Sequence, residues 1–184
     1  MEPVRHLLGE GKQVFLDLKM YDIPETVARA VDLVALSGVR FLTVHAVSSV
    51  MRAAVAARAG SRLQILGVTV LTSFAAEDMD DLGYEGTVAS LVERRARKAV
   101  EVGVDGIVAS PLEAAGVRRI VGLNTVIVTP GVRSAGVDAG DQKRVATPAE
   151  AIRDGADYLV IGRQITRAAD PAAEVDRILT ELEE

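Results

Sequence analysis

The chain has 184 residues, no cysteine, two histidines and a formal net charge of −5. That length suits one domain that buries roughly 70 % of its unfolded surface, and 49 % hydrophobic residues without a low-complexity tract exclude a disordered, collagen-like or disulfide-built protein. No cysteine means no thiolate nucleophile or iron–sulfur cluster, and an acidic balance without a leader-like or long apolar segment leads to the expectation of a cytoplasmic protein binding neither nucleic acid nor membrane.

Residues 3–8 place Val4, Leu7 and Leu8 at helical spacing before Gly9 and Gly11, which predicts an opening helix. From there the pattern alternates. Short runs rich in β-branched residues, at 14–18, 41–46, 65–71, 106–110, 125–129 and 158–162, predict strands. Helical periodicity fills the intervals at 24–36, 48–58, 87–102, 112–121 and 148–154 and follows the last run at 171–182. Proline opens several of these helices, and Gly38, Gly60, Gly103 and Gly155 stop them. Strands that are apolar on both faces and each followed by a helix imply a parallel sheet covered by helices.

The dinucleotide-binding form of such a sheet carries Gly-x-Gly-x-x-Gly after a strand, and no run here has it. The expected fold is therefore the α/β (β/α)8 TIM-barrel family. A complete barrel has eight strands in about 250 residues, so six βα units predict a chain lacking the first two strands and forming a single partial domain over 1–184.

The strand at 14–18 leads into charged residues. Asp17 and Lys19 stand at i and i+2, which puts them on one face, and Asp22 follows just beyond. By charge pattern alone the pair reads either as a solvated ion pair on an edge strand or as an interior pair at the C-terminal strand ends, where barrels keep their active sites. Other features have plainer readings. Arg94–Arg95 with Arg97 and Lys98 belong to a helix whose Val92, Ala96, Ala99 and Val100 form the apolar face, so the charges are its solvated side. Asp78, Asp80 and Asp81 mimic a calcium loop whose twelfth position is Ala89 instead of an acid. Gly9 and Gly11 precede a strand and mark a turn. His45 reads as a hydrogen-bonded core histidine and receives no role.

The segment Asp17-Leu-Lys19-Met-Tyr-Asp22-Ile-Pro24-Glu-Thr26 resembles the Asp-x-Lys-x-x-Asp signature of bacterial orotidine 5'-phosphate decarboxylases. Four further blocks resemble the same family in its order: Leu71-Thr72-Ser73, Thr129-Pro130-Gly131-Val132-Arg133, Gly140-Asp141-Gln142-Lys143-Arg144 and Ile161-Gly162-Arg163. The resemblance implies conversion of orotidine 5'-monophosphate to uridine 5'-monophosphate and carbon dioxide, without metal or cofactor. It implies that Lys19 is the proton donor and that Asp17 lies beside the departing carboxylate. Asp22 would serve the neighbouring subunit's site with Ile23 and Thr26 near that ligand, which implies a homodimer with a shared active site. Thr72, Ser73, Pro130, Arg133, Gln142, Gly162 and Arg163 would contact the substrate.

The phosphate end also reads from position, because Arg133 and Gly162-Arg163 follow adjacent strands, where barrels commonly hold phosphate. Glu25 departs from the asparagine usual in bacterial members. The family's ribose-binding aspartate and second lysine belong to the two strands expected to be missing. The alternatives are a metal-dependent hexulose-phosphate synthase-like relative that shares Asp17, Lys19 and Asp22, a phosphate-binding protein without turnover, and a structural fragment with no ligand.

Overall fold

The structure, a computed structural model, describes residues 2–137 and 145–183. Helix α1 (Glu2–Gly9) comes first, followed by β1 (Phe15–Met20), α2 (Pro24–Ala35), β2 (Phe41–His45), α3 (Ser48–Ala57) and β3 (Gln64–Val68). Next are α4 (Ala76–Asp81), α5 (Val88–Val102), β4 (Gly106–Val108), α6 (Pro111–Val121) and β5 (Val126–Pro130). The chain continues through α7 (Pro148–Arg153), β6 (Tyr158–Val160), α8 (Arg163–Thr166) and α9 (Pro171–Glu183). The strands are hydrogen-bonded in sequence order from β1 to β6, with parallel pairing at β1–β2, β2–β3 and β5–β6. This is the strand–helix alternation of the (β/α)8 barrel family with six βα units. Among the described residues no helix is long and apolar enough to cross a membrane.

The chain divides into two compact units. The first comprises Met1–Thr69 and Arg95–Ile107. Its interior is made by β2 and β3, where Leu42, Val44, Ile65 and Leu66 are fully buried beside Val31 of α2 and Met51 of α3. Side chains of this kind each stabilise the fold by roughly 1.5–3 kcal/mol. Gly67 lies where β3 meets this packing, and a Cβ there would sit 3.3 Å from the Met51 sulfur and 3.7 Å from Ala46 and Ala99. The close approach therefore requires glycine or a shift of Met51.

The second unit comprises Val70–Arg94 and Val108–Glu184. Val132, Ala151 and Ala156 form a buried cluster, with Leu159 and Ile161 packed against it. Three of its helices start on side-chain caps. The Ser110 hydroxyl accepts from the Leu112 N–H ahead of α6, Thr147 and Glu150 form a capping box on α7, and the Asp170 carboxylate accepts from the Ala172 and Ala173 N–H groups before α9. Gly155 adopts φ +102° after α7, and a Cβ there would meet the Arg118 side chain at 3.1 Å, so both conformation and space favour glycine.

Strand limits fall short of the sequence pattern at two places. The run at 65–71 gives a strand only as far as Val68. The β6 ladder stops at Val160, and Gly162-Arg163 open a new helical turn. Helices α4 and α8 leave no mark in the sequence pattern, since six and four residues are too short for a periodic signal. Asp78 belongs to the α4 capping arrangement, where its carboxylate accepts from the Ala75 N–H at 2.6 Å.

Candidate active site

The charged end of β1 arises from an irregularity in its pairing. The β1–β2 register runs Phe15↔Phe41 and Leu16↔Leu42, then resumes at Met20↔Val44, so Asp17, Leu18 and Lys19 lie opposite the single residue Thr43. Such a bulge redirects side chains and is common beside active sites. Leu18, which the strand pattern would bury, is 52 % exposed. Lys19 takes φ +46°, a conformation rare outside glycine and asparagine, which costs on the order of 1–3 kcal/mol unless the surroundings hold it.

Thr43 supplies that hold. Its hydroxyl accepts from the Lys19 backbone N–H at 2.8 Å and donates to Oδ1 of Asp17 at 2.8 Å. The other carboxylate oxygen, Oδ2, accepts from the Lys19 ammonium. The expectation that Asp17 and Lys19 point the same way is met, though by a bulge and a hydroxyl instead of regular alternation. Both side chains remain 39 % exposed, so the ammonium can still reach a ligand. Thr43 carries no functional signal in the sequence, because a threonine inside an apolar strand is ordinary.

The residues after Lys19 are solvent-facing. The Asp22 carboxylate accepts from the Ile23 N–H at 2.7 Å, Ile23 is 67 % exposed, and Thr26 is exposed in the first turn of α2. The Tyr21 ring lies against the His45 ring with centroids 5.4 Å apart. His45 is half-buried, and burial, followed by the charges of Arg95 and Lys19, holds its imidazole below the ordinary pKa. The ring thus stands within the field of Lys19, the neighbourhood that its strand position beside Val44 and Ala46 left open.

In the second unit Thr72 is buried and Ser73 exposed, both beyond the end of β3. Pro130 closes β5. Arg133 lies three residues beyond that end, where Val132 bridges Ala146 and the Arg133 N–H donates to the Ala146 carbonyl at 3.0 Å. Its side chain is only 9 % exposed, and Nη1 donates to the Val132 carbonyl at 2.6 Å. A solvated surface arginine is therefore excluded for Arg133.

Gly162 is the N-cap of α8, and Arg163 is its first residue. A Cβ at Gly162 would find no atom within 4 Å, so the space beside this backbone is open to an incoming group. Gln164 joins the two arginine segments: its Oε1 accepts from the Ser134 N–H at 3.1 Å and its Nε2 donates to the Ser134 hydroxyl at 2.8 Å. The same amide nitrogen donates to Glu174 of α9 at 2.8 Å. Gln164 and Ser134 were absent from the sequence-derived set, yet each adjoins one of its arginines. Gln142 lies outside the described residues.

Comparison with known proteins follows the same line. The family model described as "Orotidine 5'-phosphate decarboxylase / HUMPS family" matches residues 1–178. The chain belongs to this family. It is 56 % identical over 181 residues to the orotidine 5'-phosphate decarboxylase of Nitrobacter winogradskyi, covering 98 % of this chain and 75 % of that protein. Against the orotidine 5'-phosphate decarboxylase of Rhodopseudomonas palustris it is 54 % identical over 178 residues, covering 97 % of this chain and 75 % of the relative. The crystal structure of the orotidine 5'-phosphate decarboxylase from Lactobacillus acidophilus matches with a TM-score of 0.83 at 34 % identity, covering 98 % of this chain and 80 % of the other. An uncharacterized conserved protein from Geobacillus kaustophilus matches with a TM-score of 0.81, also at 34 % identity, over 97 % of this chain and 80 % of that one. As a member of the orotidine 5'-phosphate decarboxylase / HUMPS family, the chain shares the barrel-family fold that its strand order had indicated.

Proposed function

We propose that the chain decarboxylates orotidine 5'-monophosphate to uridine 5'-monophosphate and carbon dioxide, a step of pyrimidine biosynthesis, with neither metal nor organic cofactor and with Lys19 as proton donor. The observation that carries this reading is the Asp17–Lys19 pair, an ammonium and a carboxylate held together where β1 leaves its ladder. Relatives at 54–56 % identity that are named decarboxylases support this activity over the second one in the family's description.

Cleavage of the bond to the carboxylate leaves its electron pair on the ring carbon while neutral carbon dioxide departs. A fixed ammonium beside that carbon stabilises the developing charge and then supplies the proton, leaving a neutral amine that water reprotonates. Asp17 would stand near the substrate carboxylate, where repulsion between the two anions is relieved as carbon dioxide forms. The phosphate would be gripped by Arg133, Arg163 and the backbone of Gly162, with Thr72, Ser73, Pro130 and Gln142 completing the ligand surface. Binding energy from that non-reacting end is then available for catalysis at the ring.

The protein acts, in this reading, as one domain and as a cytoplasmic homodimer, with Asp22, Ile23 and Thr26 of one subunit serving the site of the other. The exposure of Ile23 and of Tyr21, 67 % and 68 %, supports a surface available for such an arrangement.

Lys19→Ala tests the central role. With chelator present throughout, wild-type protein should turn over substrate undiminished, whereas the variant should lose at least about 10³-fold in kcat while still binding uridine 5'-monophosphate. Chelator-sensitive wild-type turnover, or a variant changed only in KM, would overturn the assignment.

A further inference from the structure

We propose that Thr43 is a positioning residue for the reaction, its single hydroxyl setting both the Lys19 backbone and the Asp17 carboxylate in their working arrangement. The inference rests on the proposed role of Lys19 and adds a group to it. Three observations converge on this hydroxyl. It lies opposite Asp17, Leu18 and Lys19, the three residues by which β1 departs from its β2 register. It accepts from the Lys19 N–H and donates to Asp17 Oδ1, both at 2.8 Å, which commits its one proton and leaves the carboxylate's second oxygen for the ammonium. Thr43 is also wholly buried, with Leu42 and Val44 buried on either side, so neither water nor a different rotamer is at hand to replace it.

The physical consequence is a fixed distance between ammonium and carboxylate. Lys19 at φ +46° is the one described non-glycine residue with a positive φ, and the hydroxyl contact to its N–H holds that peptide in place. Without the hydroxyl the N–H would lose its partner, Asp17 would lose the bond that fixes its rotamer, and the ammonium would follow the carboxylate. A displacement of about 1 Å at a reacting group can cost on the order of 10²-fold in rate without any loss of substrate binding.

The test compares Thr43→Val, which keeps the shape and removes the hydroxyl, with Thr43→Ser, which keeps the hydroxyl, and uses Lys19→Ala as reference. Thr43→Val should lower kcat by about 10- to 100-fold with KM little changed, and Thr43→Ser should recover most of the loss. Hydrogen exchange at the Lys19 amide should be fast in the valine variant and slow in the serine variant. Should the valine variant not be recovered folded, Thr43→Cys replaces it with the same expectation, because a thiol is a weak donor and acceptor. A valine or cysteine variant with wild-type kcat, a loss confined to KM, or a serine variant as impaired as valine would overturn the role of Thr43. Full activity in Lys19→Ala would overturn the reading of Lys19 instead, and the exchange measurement would still decide whether Thr43 holds that backbone.

Discussion

Arg133 and Arg163 show how much a single residue's setting changes its meaning. In sequence each is an arginine after a strand, for which a surface charge is the ordinary reading. In the structure Arg133 is 9 % exposed, and Arg163 is half-buried at the start of α8, beside a glycine with open space around it. Arg163→Ala should weaken binding of uridine 5'-monophosphate by roughly 1.5–3 kcal/mol, the range for a hydrogen bond to a charged group, and leave binding of the unphosphorylated nucleoside nearly unchanged. Calorimetry with the two ligands checks this, and equal weakening toward both would place the arginine away from the phosphate. Asp17 and Lys19 were legible as a same-face pair from their spacing, and as chemistry only through the family signature that surrounds them. Thr43 was not, because its importance comes from a register shift between two strands, which only pairing creates.

At the scale of elements, the short helix α8 is secured by side chains more than by its own four residues. Gln164 ties it to Ser134 and to Glu174 of α9, while Arg177 donates to both Glu174 oxygens, at 2.7 and 3.0 Å. The Arg177 bonds first, and then that of Gln164, push the Glu174 pKa from the ordinary 4.5 down to about 2. A folded-state value below the unfolded one means that the unfolded chain takes up the proton first as pH falls. The contribution is therefore present above about pH 4.5 and lost on acidification toward about pH 2. Glu174→Gln should lower the urea midpoint at neutral pH, and the gap from wild type should close across that acid window. A gap independent of pH would show that the glutamate acts by packing and not by charge. Helix starts with Pro and stops with Gly were readable in the chain, whereas the α8–α9 tie required both helices to be in place.

For the whole molecule, the proposed shared site gives a test that no single variant can supply. If Asp22 serves the opposite subunit, Lys19→Ala and Asp22→Ala homodimers are both impaired. A mixed dimer, however, contains one site with intact Lys19 and intact Asp22, while the other site carries both lesions. Refolding the two variants together should restore activity above that of either alone, up to about half the wild-type rate per dimer if the sites act independently. Native mass spectrometry confirms the mixed species. Confirmed heterodimers without recovered activity would mean that Asp22 acts within its own subunit.

The sequence by itself determined the alternation of six strands with helices, the barrel-family fold, and the family through the Asp-x-Lys-x-x-Asp segment and the blocks after it. These features are local: apolar period, proline and glycine punctuation, and short motifs survive in one dimension. Tertiary structure decided what those residues touch. The bulge with Lys19 at φ +46°, the buried hydroxyl of Thr43 across from it, the His45 ring against Tyr21, and the bonds of the Gln164 amide to Ser134 all depend on partners 24 to 30 positions away. Hydrogen bonds over such separations form only after strand pairing has fixed the register, and no pattern confined to one segment encodes that register.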